Sequence, residues 1–117
     1  MKIAVATDDG KMLRFGHFGD AKKYMIYSYR DGVLVFEEER ENPYLEIEGD
    51  DHNHNDEKKS RLIRNFLSDV EVFVGHSMGV RNRERLEKQG IKMVPLLKKG
   101  ITVEEALHLA LFKIGID

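Results

Sequence analysis

The segment from Tyr24 to Arg40 admits few folds. Two runs rich in aromatic and β-branched residues, Tyr24–Arg30 and Val33–Arg40, are separated by the dipeptide Asp31-Gly32. Asp-Gly between such runs supplies the backbone freedom that a tight two-residue hairpin needs. Upstream, the short apolar run Ile3–Thr7 ends at the turn signal Asp9-Gly10 and reads as a buried strand. Residues 8–21, with three glycines and a histidine, join that strand to the hairpin. Asn42–Asn55 is polar, contains Pro43, and reads as a loop.

The second half alternates helix and strand. Asn55 or Asp56 caps a helix running to about Ser68, with Leu62, Ile63, Phe66 and Leu67 on one face. Glu71–Gly75 is an apolar strand, Val80–Gln89 a short charged helix ended by Gly90, and Ile91–Pro95 another strand. Thr102 opens a capping box with Glu105, and Val103, Ala106, Leu107, Ala110, Leu111 and Ile114 follow at spacings of three and four. The expected fold class is α/β: residues 1–117 form a single domain with a mixed five-stranded sheet and three helices.

Composition removes several function classes. The 117 residues carry a formal charge of −2, so no global field draws in nucleic acid or an anionic membrane. No stretch approaches the roughly 20 apolar residues of a membrane helix. There is no cysteine, which excludes disulfides and thiolate ligation and fits a cytoplasmic protein. Histidine is then the natural borderline metal ligand left to the chain.

Four places carry candidate chemistry. Gly16-His17-Phe18-Gly19 puts an imidazole between glycines that leave room for a ligand. Phe18 reads as a packing residue and Gly19 as a turn residue with positive φ. Asp8 and Asp9 either orient His17 or simply shape the turn. Asp50-Asp51-His52-Asn53-His54-Asn55-Asp56 holds a His-x-His pair able to chelate a divalent ion among carboxylates, or is a solvated loop.

Gly75-His76-Ser77-Met78-Gly79 matches the nucleophile elbow of hydrolases. After this serine the only histidine is His108, inside the last helix beside the apolar stripe, and the one aspartate, the terminal Asp117, comes after it. A small hydrolase using Ser77 is therefore the third reading. A helix start after Gly79 that favours anions is the better account. Arg81 stands nearest that start, while Arg83, Arg85 and Lys88 read as a solvated face paired with Glu84 and Glu87. A two-metal nuclease needs converging carboxylates, yet Gly75 and His76 stand where one is wanted.

The His17-Phe18-Gly19 loop, the Met78-Gly79 turn, Gly90-Ile91-Lys92-Met93-Val94 and Thr102-Val103-Glu104-Glu105-Ala106-Leu107 together resemble the dinitrogenase iron–molybdenum cofactor biosynthesis family. The resemblance covers nearly the whole chain and implies a ribonuclease H-like topology. It implies a non-catalytic carrier of an iron–sulfur or iron–molybdenum type metallocluster, or its precursor, bound transiently and exchanged with cluster donor or acceptor proteins. With the residues, it puts forward His17, Phe18, Gly19, His76, Met78, Gly79 and Arg81 as cluster contacts, and His17, His52 and His54 as metal ligands. The alternative is a regulatory or interaction domain of the same fold that binds no cluster, with an edge strand such as Val33–Arg40 open to pairing.

Overall fold

The computed structural model describes residues 1–45, 57–78 and 80–115. They form β1 (Lys2–Thr7), a short 3-10 turn (Phe18–Asp20), β2 (Lys23–Arg30), β3 (Val33–Glu41), α1 (Glu57–Phe66), β4 (Val72–Gly75), α2 (Val80–Glu87), β5 (Lys92–Pro95) and α3 (Val103–Lys113). The sheet order is β3-β2-β1-β4-β5. β1, β2 and β3 pair antiparallel, whereas β1, β4 and β5 pair parallel. This is the mixed five-stranded sheet with three helices that the sequence pattern calls for.

The hairpin turns where Asp-Gly stands, with φ of 52° at Asp31 and 81° at Gly32. Two positive φ values in succession match the right-handed twist of the flanking strands. The partner strand does not alternate cleanly. Ile26 lies opposite Glu38 and Tyr27 opposite Phe36, so Glu37 is an extra, unopposed residue. That bulge sets Phe36 against Tyr27, with ring centroids 5.4 Å apart.

The interior of β1 (residues 3–6) and all of β4 are apolar because both faces of the sheet are covered. On one face Ile3, Val5, Val72, Val74 and Val94 pack against Val103, Ala106, Leu107, Ala110 and Leu111 of α3. On the other, Ala4, Ala6, Tyr24, Ile26, Phe73 and Met93 meet Ile63 from α1, Leu67 just beyond it, and Leu86 from α2. The expected capping box starts α3: Glu105 N–H donates to Thr102 Oγ1 at 3.1 Å, and Thr102 N–H to Glu105 Oε1 at 2.9 Å. The second bond is the main reason the Glu105 carboxyl is held below its ordinary range.

An ion cluster ties the hairpin to the turn before β4. Arg40 forks onto Asp69 at 2.8 and 2.6 Å, Lys2 Nζ reaches Asp69 at 3.1 Å, and Glu38 takes Arg40 at 3.0 Å. The hydrogen bonds from Arg40, with Lys2 adding, hold the Asp69 carboxyl well below the usual carboxylate range. A depressed carboxylate stabilises the fold above its unfolded pKa of about 3.9 and loses that share as pH falls toward the folded value. Asp69→Asn is expected to cost about 1 kcal/mol in urea unfolding at neutral pH, the scale of an exposed but networked pair. The gap from wild type should narrow at about pH 3, where the unfolded carboxylate is already protonated.

Candidate functional site

The parallel strands β1, β4 and β5 all end on one edge of the sheet, and the loops leaving them meet there. Immediately after β1, the Thr7 hydroxyl accepts from Gly10 N–H at 3.0 Å and donates to the Met12 carbonyl at 2.6 Å. Asp9 Oδ1 accepts from the N–H groups of Met12 and Lys11, each at 2.9 Å, and these bonds lower its pKa. Asp8 takes Arg14 Nη1 at 2.8 and 3.0 Å and the Lys22 N–H at 3.0 Å. Neither carboxylate orients His17. Nearer backbone donors and Arg14 use their oxygens, so the turn-shaping reading of the pair is the one the structure has.

The loop is then stitched down on two sides. Leu13 N–H donates to Ile101 O and Arg14 N–H to Ala6 O, each at 2.9 Å, and Val103 N–H donates to Lys11 O at 2.8 Å. Beyond them, residues 16–18 run beside the turn after β4. Phe18 N–H donates to Ser77 O at 3.1 Å and Ser77 N–H to Gly16 O at 3.3 Å, which sets His17 opposite Ser77.

Phe18 fastens this junction. Its ring is 5% exposed, stacks on Phe73 at 4.9 Å and tilts against Tyr24 at the same centroid distance. The Tyr24 hydroxyl donates to the Phe18 carbonyl at 2.8 Å, and burial pushes that phenol above its ordinary range. Gly75 makes the seat possible: a Cβ there would lie 3.1 Å from Phe18 Cδ1 and 3.3 Å from Met78 Cε. Packing is thus the role that Phe18 has.

Gly19 differs from expectation. Positive φ falls on Gly10 (84°) and Gly16 (116°), whereas Gly19 lies inside the 3-10 turn. The chain reverses before His17, and a 3-10 turn requires negative φ. Instead, the Gly19 carbonyl is held by a residue with no strong sequence signal. Asn42, read as the first residue of a polar loop, is 7% exposed and donates from Nδ2 to Gly19 O at 3.1 Å and Ala21 O at 2.9 Å. Its Oδ1 accepts from Tyr44 N–H at 2.8 Å.

On this clamped loop the two histidines differ. The His17 side chain is exposed, and its imidazole has no partner among the described residues. His76 is half-buried and lies 4.4 Å from the Phe15 ring, over which Lys99 Nζ sits at 5.9 Å. Its Nδ1 accepts from Gly16 N–H at 3.3 Å, which places the proton of the neutral ring on Nε2. His76 therefore faces its surroundings as a donor, and His17 retains an open lone pair. Close by, Arg14 Nε is buried without a hydrogen-bond partner, and a Cβ built on Gly16 would lie 3.8 Å from it. Arg14 escaped the sequence reading because nothing in its neighbours marks an arginine that folds back onto its own loop.

The remaining expectations divide. Met78 is half-buried at the junction. Arg81 lies in the first turn of α2, and its side chain is outside the described atoms. His52, His54 and Gly79 lie outside the described residues. Among the described residues, no three His, Asp or Glu side chains converge as a metal-ion site. Nor does any described histidine hydrogen-bond to the Ser77 hydroxyl, and His108 is exposed on α3, so the nucleophile-elbow reading lacks its base.

Fold and site together define a small mixed-sheet domain that presents a histidine loop at the carboxyl edge of its parallel strands. Residues 1–111 match the dinitrogenase iron-molybdenum cofactor family, and the chain belongs to it. Among solved structures it is similar to the protein PH0822, at 18% identity and a TM-score of 0.64, covering 99% of this chain and 93% of that one. It is also similar to a candidate dinitrogenase (mj0327) from Methanocaldococcus jannaschii, at 20% identity and a TM-score of 0.56, covering 98% and 89%. These likenesses concern the fold. No curated protein matches the chain in sequence. Among the described residues, no helix is long and apolar enough to cross a membrane.

Two substitutions test the junction. Gly75→Ala should destabilise by about 1–3 kcal/mol, because the methyl group drives Phe18 from its seat. Asn42→Ala should cost about 2 kcal/mol by leaving the buried Ala21 carbonyl and the half-buried Gly19 carbonyl without their donor. Urea unfolding measures both. A loss below about 0.5 kcal/mol in either would show that the loop is not held as described.

Proposed function

We propose that this chain is a non-catalytic cytoplasmic carrier that takes up an iron–sulfur or iron–molybdenum type cluster, or its precursor, and passes it to an acceptor protein. One observation supports this above the others: an exposed imidazole without a partner stands on a loop whose other groups are committed to holding it still. A ligand presented this way loses little entropy on binding. Membership of the dinitrogenase iron-molybdenum cofactor family supports the class of cargo.

In this reading His17 supplies a nitrogen to a metal of the cluster. His76, through Nε2–H, and the Arg14 guanidinium stabilise the cluster's negative charge. The backbone donors at Gly16, Phe18 and Ser77 are taken up by the junction itself, so side chains and the start of α2 near Met78, Gly79 and Arg81 carry the anion contacts. His52 and His54 are further metal ligands. With no cysteine in the chain, the attachment is by few and exchangeable bonds, as handing on requires.

A second reading has its own support. Phe15 is 64% exposed and Leu97 71% exposed, and both flank His76: Phe15 against its ring, Leu97 through its N–H to the His76 carbonyl at 3.0 Å. Exposed apolar groups beside a site suit a protein partner. The same rim serves a donor or acceptor in the carrier reading, or a regulatory partner if no cluster binds.

Anaerobic titration of the apo-protein with iron–sulfur and molybdenum-containing clusters, read by absorbance and metal analysis, decides between them. Stoichiometric uptake that collapses in His17→Ala and persists in His108→Ala is expected. No uptake with any cluster would leave the interaction domain as the function.

A further inference from the structure

A second surface, built from none of the loop residues above, gathers positive charge. Between α1 and α2 lies a cleft of about 220 Å³ lined by Ser60, Arg61, Arg64, Arg85, Leu86 and Gln89. Three guanidinium groups, an amide and a hydroxyl surround it, Leu86 is buried beneath, and among the described residues no carboxylate lines it. This stands out in a chain with 21 acidic residues against 19 basic ones. Among the described residues neither Arg61 nor Arg64 has an ion-pair or hydrogen-bond partner for its side chain. By contrast, Arg83 on the outer part of α2 pairs with Glu87 at 3.7 Å.

Helix electrostatics account for only part of this. A cation in the last turn favours each helix, which explains Arg64 in α1 and Arg85 in α2 taken singly. Arg61, one turn earlier, gains nothing comparable. Placed three residues from Arg64, it is a like-charge neighbour on the same helix face, an arrangement that disfavours the helix. Arg61 and Arg64 on one helix face are costly as a like-charge pair and become favourable when an anion sits against them. Their planar forks match carboxylate and phosphate oxygens in pairs. The volume lies just below that of drug-sized ligand pockets and leaves room for a small ligand only.

We propose that the α1–α2 cleft is a binding site for a small ligand carrying two or more oxyanion groups, held by Arg61, Arg64 and Arg85 with Gln89 and Ser60 as neutral donors. Because the cleft shares no residue with the His17 loop, the ligand would bind whether or not that loop carries a cluster. Two chemistries share this recognition, the phosphate ester and the polycarboxylate, and pyrophosphate and citrate serve as probes of each.

Isothermal titration of the full chain at low ionic strength, about 20 mM to limit screening, tests the site in wild type, Arg61→Gln, Arg64→Gln and Arg83→Gln. One-to-one binding of at least one probe is expected. It should weaken by about tenfold or more in the Arg61 and Arg64 variants, as loss of a charge-assisted contact requires, and hold in Arg83→Gln. Binding of pyrophosphate alone assigns the phosphate class, and of citrate alone the polycarboxylate class. Failure of both probes, or equal weakening in Arg83→Gln, overturns the proposal, the latter because it would reduce the effect to overall charge. Thermal unfolding of each variant separates loss of the ligand contact from loss of the fold.

Discussion

The seating of Phe18 between Phe73, Tyr24 and the bare backbone of Gly75 is the contact on which the functional edge depends. It belongs at once to the core and to the loop. The ring lies in the cluster that includes Phe73 and Tyr24, while its own backbone pairs with Ser77 and precedes the turn into Asn42's grip. Aromatic packing of this kind adds to the area it buries. It does so here at a residue adjacent to the exposed imidazole, so packing in the core also fixes where His17 stands.

Around that anchor, nearly every polar group of the first loop is committed internally. Thr7 and Asp9 close the turn after β1, Asp8 holds Arg14 and Lys22, and Gly16 donates to His76. A loop whose hydrogen bonds are this fully used is stiff without being an element of regular structure. What it leaves over is small and specific: the His17 ring, the outward nitrogen of His76 and the buried Nε of Arg14. The proposed carrier role would gain from that economy, since a preformed and sparse set of contacts binds without reorganising and releases without breaking many bonds.

Two charge arrangements on the surface have different physical characters. The Lys2, Glu38, Arg40 and Asp69 cluster neutralises itself and joins the edge hairpin to the turn before β4. Arg61 and Arg64 line the α1–α2 cleft without a counter-charge among the described residues. Self-compensated charge serves the fold, whereas a like-charge pair on one helix face suits an oxyanion.

Local chemistry alone settled much of this protein. The Asp31-Gly32 hairpin, the capping box at Thr102 and Glu105, and the apolar runs of β1 and β4 follow from backbone preference and from burial on one or two faces. These are properties of neighbouring residues, so the sequence carries them in full. His17 was legible as a candidate for the same reason, as a histidine framed by glycines. The positive φ assigned to Gly19 belongs instead to Gly16, because where a loop reverses is set by what it docks against. Asn42 and the pairing of His17 with Ser77 depend on residues roughly twenty to sixty positions apart meeting at one sheet edge, as do Arg61 and Arg85 between two helices. No local pattern encodes such meetings. Only the order and direction of the strands, once packed, determine which distant groups share a surface.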